Sequence, residues 1–402
     1  MADWRGAVDV YLDSIAETLR ATRRHLHAHP EPSREEFETA LFLAERLNEA
    51  GIANRLIPSG RGVIADPFPD DGLPRIAIRG DIDALRMHDQ KEVPYRSSRA
   101  GVMHACGHDA HATMALGASL ALWNCRAWLP WPSPWRTIFQ PAEEVGEGAK
   151  EMVAAGAVAG VRAIVALHVD PELEVGRVGQ RRGVLTAFCE EMHVTIHGRG
   201  GHAARPHQTV DPIGVAVQFI NSVYQFVPRS VDSREPVVVT FGSIQGGHSA
   251  NVIPEKVELL GTIRALGRAS ATKVEERIRH IAHGLSEASG ARIAVAFDQT
   301  TEAVVNDPDV TDACVRAAAD VVGMDHLDAI PLPSMGGEDF SGYLDHVPGC
   351  MLRLGVAAAE GPRRPLHTPG FDIDERALVI GAKILARSVV LLSRPAIQGA
   401  NE

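Results

Sequence analysis

The sequence predicts an α/β protein whose chain is interrupted by an independent α+β insertion. Three observations carry this. At 402 residues the chain exceeds what one hydrophobic core usually holds, so two domains are expected. Apolar stretches such as Arg75 to Ile82 read as buried strands that deliver acidic residues at their C-terminal ends, where open α/β sheets keep their sites. A middle segment reads strand (Phe188 to His197), helix (Asp211 to Val227), strand (Pro236 to Gln245), strand (Glu255 to Ala265), helix (Ser270 to Ser289) and strand (Ala291 to Asp298), the βαββαβ order of a ferredoxin-like two-layer sandwich. The expected boundaries are 1–185 and 300–402 for the first domain and 186–299 for the insertion.

In chain order, residues 5–28 have helical periodicity (Val8, Tyr11, Leu12, Ile15, Leu19, Leu26) ending at His29-Pro30, and Glu35 to Ala50 is a second helix. His25, His27 and His29 alternate along the first helix, so they point in different directions and read as structural. Asp81 and Asp83 end the strand that follows; either could bind a metal directly, and the favoured role is to orient an imidazole of the next motif. That motif, Met103 to His111, packs a thiol, three imidazoles and a carboxylate into nine residues. Cys106 and His108 are two apart, so both can face one metal ion, with Gly107 letting the backbone bend between them. A helix from Ala110 to Trp123 follows, with Asp109 placed as its N-cap.

The stretch 123–135 carries four of the five tryptophans and reads as a proline-stiffened loop packing its indoles on the domain surface or on a partner chain. Arg136 to Gln140 is a short strand, and Pro141 ends it just before Glu143-Glu144, where one carboxylate can bind metal while its neighbour faces the bound water. Val161 to Val169 is another strand, with His168 near its end. In the insertion, glycine-rich turns expose His202 and Asn251. Met351 to Val356 is a late strand, His367 follows it, and the capping-box pattern Asp372 to Glu375 opens a final helix to about Leu392.

Composition excludes several classes. With 45% hydrophobic and 23% charged residues the chain can bury a sizeable core. A formal net charge of −11, with no run of Lys or Arg, argues against nucleic acid as a partner. Five scattered cysteines do not make a disulfide framework, and no apolar run approaches a membrane span, so a cytoplasmic location is expected.

Taken together, Arg24 to Glu31, Asp81-Ile82-Asp83-Ala84-Leu85, His104 to Asp109, Phe139 to Glu144, Ala166 to Val169, Gly201-His202-Ala203, Asn251 to Pro254, Gly261 to Arg264, Gly337 to Phe340 and Leu366-His367 resemble the M20 metallopeptidase family. The likeness is to its amidohydrolase branch of N-acyl-amino-acid, hippurate and auxin-conjugate hydrolases, and it spans nearly the whole chain. It implies a mixed-sheet, zinc-peptidase-like catalytic domain with a ferredoxin-like lid and dimerisation domain inserted. It further implies that Cys106, His108, Glu144, His168 and His367 hold two divalent metals, zinc or manganese first and nickel or cobalt as alternatives, with Glu143 as general base. His202 occupies the oxyanion-donor motif, often supplied by the partner of a homodimer, and Asn251 with Arg264 would bind the substrate carboxylate. The expected reaction is hydrolysis of an N-acyl-L-amino acid, a small-molecule substrate; carboxypeptidase or dipeptidase activity on the same fold is the alternative, and an idle scaffold the third. Arg86 and Asp89 stand where relatives commonly have Pro and Glu, which bears on substrate choice and local packing.

Overall fold

The computed structural model describes residues 3–68 and 72–395. The N-terminal stretch is two helices, α1 (Trp4–Ser14) and α2 (Ala16–Ala28), rather than one. The break at Ile15 is slight, because the Ile15 N–H still reaches the Tyr11 carbonyl and the Leu19 N–H reaches that of Ile15. Apolar periodicity runs straight through it and cannot report it. Helix α3 (Phe37–Glu49) precedes strands β1 (Asn54–Leu56), β2 (Val63–Ala65) and β3 (Arg75–Asp81). Helix α4 (His108–Asn124), strand β4 (Trp135–Gln140), helix α5 (Gly148–Ala154) and strands β5 (Val161–Glu174) and β6 (Val178–Gln180) complete the first pass.

The insertion contains β7 (Phe188–His197), α6 (Pro212–Phe226), β8 (Val237–Gln245), β9 (Lys256–Ala265), α7 (Arg268–Ser289) and β10 (Arg292–Thr301). The chain then returns through α8 (Pro308–Val322), β11 (Leu327–Ala329), α9 (Ser341–Leu344), β12 (Gly349–Ala357) and α10 (Arg376–Leu392).

Two compact units result: 1–183, 305–332 and 339–402 form one, and 184–304 with 333–338 form the other. The larger holds an eight-stranded sheet in the order β1-β2-β4-β3-β5-β12-β6-β11. Its centre, β4-β3-β5-β12, is parallel, while β1, β2 and the β6–β12 pairing are antiparallel, so the sheet is mixed. Central strands β3 and β4 are buried at every position, as expected of parallel strands covered on both faces. Helix α4 is buried along nearly all its length, which explains why its apolar residues show no single face.

Several sequence expectations need correction here. Asp109 does not cap α4. Gly107 holds the N-cap position, and the Asp109 carboxylate instead accepts from the buried Arg23 at 2.8 Å and pairs with His27 at 2.6 Å. The box Asp372 to Glu375 likewise does not form as such: α10 starts at Arg376, whose N–H is accepted by Asp374 at 3.0 Å, while Asp372 accepts from Arg23 at 2.9 Å and Glu375 from Arg24 and, at 3.4 Å, from Arg23. A buried guanidinium without partners would cost several kcal/mol, more than a helix cap returns, so the ion pairs win these carboxylates. Trp135 is fully buried as the first residue of β4, not on a surface loop, and the Trp131 indole donates to the Val390 carbonyl at 2.7 Å; only Trp128 is exposed. Strand β5 continues past Val169 to Glu174, which places His168 within it.

The smaller unit is a four-stranded antiparallel sheet, β8-β9-β7-β10, with α6 and α7 on one face. Met192, Val194 and Ile196 of β7 alternate inward against Phe219 and Val223 of α6 and Ile278 of α7. Asp211 caps α6, its side chain accepting the Ile213 N–H at 2.9 Å.

Candidate active site

The strand ends of the larger unit bring together side chains far apart in sequence. Cys106 and His108 flank Gly107, whose φ of 87° is left-handed; a Cβ there would lie 2.4 Å from Cγ2 of Val169. Only glycine lets the chain bend this tightly beside β5, and the bend turns both side chains inward. Cys106 Sγ lies 3.6 Å from His168 Nε2. His108 Nε2 lies 3.8 Å from Glu144 Oε1 and from Glu143 Oε2, and His367 Nε2 is 3.5 Å from Glu144 Oε1. Donor atoms of Cys106, His108 and His168 lie within 4.8 Å of one another, as do those of Cys106, Glu144 and His367. All six residues proposed from the sequence for this centre therefore converge.

The supporting bonds fix which nitrogen faces inward. His108 Nδ1 donates to the carbonyl and carboxylate of Asp83, at 2.9 and 3.0 Å, and His168 Nδ1 donates to the Val169 carbonyl at 2.8 Å. Each ring thus turns its Nε2 towards the centre, the nitrogen that a metal would take in exchange for any proton there. His108 Nε2 and Glu144 Oε1 are buried and have no hydrogen-bond partner. Desolvation alone disfavours such groups, so their convergence needs a ligand.

The electrostatics point the same way. Burial pushes the Cys106 thiol far up and Glu144 up to about 7. Burial opposes charge on His108 too, but Asp81, Cys106 and Asp83 outweigh it and raise that group well above the imidazole range. These three groups favour their protonated forms, whereas burial lowers His168 well below the imidazole range and lowers His367 too, which keeps those two rings neutral. A thiolate, imidazoles and a carboxylate are ligands that suit a divalent cation, zinc above all, so the residues fit the group.

The sequence alone assigns no role to His111, Arg79, Asp339 or Glu36, although His111 and Asp339 stand inside the motifs Met103 to His111 and Gly337 to Phe340. His111 Nδ1 donates to Asp81 at 2.7 Å while its Nε2 accepts the Val169 N–H at 2.9 Å, so both ring nitrogens are committed. Arg79 is buried in β3 and joins Asp81, Gln140 and Asp339, at 2.5, 2.8 and 2.9 Å. A charged residue inside an apolar strand was the signal available for it. Three non-glycine residues among those described have left-handed backbones, Arg34, Ala142 and His367; one is a donor to the centre and another precedes Glu143. Local strain gathers here.

In the smaller unit, His202 is exposed on a two-residue ladder with Val252. Its Nδ1 accepts the Ala204 N–H at 3.1 Å, which leaves Nε2 to carry the proton. Asn251 adjoins it through the Ala203 N–H, which bonds the Asn251 carbonyl, and Ser249 holds the Asn251 side chain at 2.6 Å. Arg264, on β9, donates to the Met335 carbonyl at 2.9 Å and lies 3.5 Å from Cys189 Sγ.

Residues 77–390 match the profile of peptidase family M20/M25/M40. The chain belongs to that family. Its relatives include members of the amidohydrolase branch: an N-acetyl-L-cysteine deacetylase of Bacillus subtilis is 37% identical over 379 residues, covering 94% of this chain and 89% of the relative. A thermostable carboxypeptidase of Saccharolobus solfataricus is 33% identical over 376 residues, covering 92% and 93%. The crystal structure of a dinuclear metal binding peptidase of the M20 family from Bacillus subtilis superposes with a TM-score of 0.81 at 33% identity, over 95% of this chain and 99% of that one. This family member also matches a longer Rhodococcus jostii protein named as a glutamate–cysteine ligase, at 41% identity over 364 residues, and spans 45% of it. The fold is thus that of an M20 catalytic domain with its lid domain, and the chain is a metallohydrolase of that family.

Proposed function

We propose that this hydrolase cleaves the amide bond of N-acyl-L-amino acids, giving a carboxylic acid and a free amino acid. The observation that carries the reading is the convergence of Cys106, His108, His168, Glu144 and His367 with Glu143 beside them. Cys106, His108, Glu144, His168 and His367 would hold two divalent ions, zinc or manganese foremost. When bound, these ions supply Lewis acidity and bring the pKa of water towards neutrality. Glu143 takes the proton of the attacking water and delivers it to the leaving nitrogen. His202, with its proton on Nε2, donates to the oxyanion, and Arg264 with Asn251 holds the substrate carboxylate by charge-assisted bonds.

A homodimer through the smaller unit belongs to the same reading. It is supported by the exposed apolar residues Ile213, Val217 and Tyr224 of α6 and by Val238 and Ile244 of the edge strand β8. The kinship to a carboxypeptidase keeps peptide cleavage as the second reading.

A hydrolysis screen separates the two. Acetyl, benzoyl and indole-acetyl amino acids and unblocked dipeptides are offered to protein loaded with zinc, manganese, cobalt or nickel. Faster turnover of the acylated set is the expected outcome; preference for dipeptides, or for longer peptides with a free C-terminus, would replace the first reading by the second.

A further inference from the structure

Glu36 is fully buried and occupies the N-cap position of α3, yet it makes no cap bond there. Glu31 caps the helix instead, its Oε2 accepting the Thr39 N–H at 2.8 Å. Glu36 turns away from its own helix, and its Oε1 accepts two backbone N–H groups, from Arg34 at 2.9 Å and Ala142 at 2.8 Å. Both donors are left-handed, with φ of 73° and 52°. A left-handed alanine costs about 1–2 kcal/mol, so the Ala142 turn needs outside support. A second carboxylate fastens the same loop two residues on, where Asp83 Oδ2 accepts the Glu144 N–H at 3.0 Å. The far side of the turn is closed by Gly148, whose N–H bonds the Ala142 carbonyl and where any Cβ would collide with the Pro141 carbonyl.

We propose that Glu36 is a positioning residue, whose carboxyl holds Ala142 in the left-handed turn that aims Glu143 and Glu144 into the metal centre. This rests on the roles of Glu143 and Glu144 given above. The role needs an acceptor oxygen, not a charge: burial, with Asp83 near, already raises Glu36 to about 7. An amide should therefore serve nearly as well.

The test compares Glu36→Gln, which keeps the acceptor, with Glu36→Met, which keeps the size and loses it. Amide hydrogen exchange over 141–148 is followed in the metal-free chain, then zinc affinity, then kcat and KM. In Glu36→Met, exchange at Ala142 should rise about tenfold, the value of one lost hydrogen bond, zinc should bind about tenfold more weakly, and kcat should fall more than KM changes. Glu36→Gln should stay near wild type on all three. Adding Ala142→Gly to Glu36→Met should restore part of the loss, since glycine takes positive φ without a steric cost. If Glu36→Met does not fold, Glu36→Asp takes its place, its carboxyl being one methylene short of Ala142. A folded variant in which the acceptor is missing or out of reach, Met or Asp, with wild-type exchange and zinc affinity overturns the proposal, as does a Gln variant that loses as much as that variant. Exchange and zinc binding need no substrate, so if they shift as expected while no form hydrolyses an acylated amino acid, the positioning role stands and the reading of function falls.

Discussion

Glu143 and Glu144 are neighbours of identical chemistry held for different ends. The Glu144 N–H is tied to Asp83 and its Oε1 is buried without a partner near His108 and His367, whereas Glu143 Oε1 sits 3.4 Å from the Asp339 N–H. Substituting them should therefore fail in opposite ways. Glu143→Gln should keep two metals by elemental analysis and lose about two to four orders of magnitude in turnover, whereas Glu144→Ala should lose metal. Metal loss in the first, or two tightly held ions in the second, would exchange the assignments. The sequence announces these residues because a Cys-x-His step and a Glu-Glu pair after a strand are chemically unusual at short range. It conceals Glu36 and Arg79, whose partners, Ala142 and Asp339, lie more than a hundred positions away. His111 shows the converse: it stands in the conspicuous motif, and only the fold reveals that the Val169 N–H occupies its second nitrogen.

The elements were most legible in the insertion, where alternating apolar residues and glycine turns mark β7, β8 and β9 to within a residue. Caps were least legible, because Asp109, Asp372 and Glu375 suit a helix start by type and are claimed by Arg23 and Arg24 in space. One strand residue carries a pH signature. Glu190 of β7 is 6% exposed, and burial, then the neighbouring Glu275 of α7, raises it to about 7 against Arg268 and Arg279. Between the ordinary carboxyl range and that value the folded chain keeps a proton the unfolded chain has released. Stability therefore declines as pH rises through this window and levels above it. Glu190→Gln should raise stability to urea by on the order of 2 kcal/mol at pH 8 and leave it unchanged near pH 4. An equal effect at both pH values would reject this account.

At the scale of the molecule, the proposed oxyanion donor His202 and the proposed metal ligands belong to different units. Mixing His202→Ala chains with Glu143→Gln chains, and allowing subunits to exchange, decides which chain completes a site. If the donor comes from a partner, one site in a mixed dimer is intact and activity returns; persistent inactivity after demonstrated exchange would confine each site to one chain. The smaller unit also alters the folding problem of the larger one. Its first and last strands, β7 and β10, are antiparallel neighbours with Cys189 opposite Thr301, so the chain enters and leaves the insertion at one spot. The central β5–β12 pairing joins residues on either side of that detour. Closing a flexible loop on the order of 100 residues costs about 4 kcal/mol of chain entropy. Once the insertion has folded, its two ends are already side by side, and to the larger unit the detour behaves as a short connection. The β5–β12 ladder should accordingly form after the insertion, and a substitution that slows the insertion's folding should slow the whole chain.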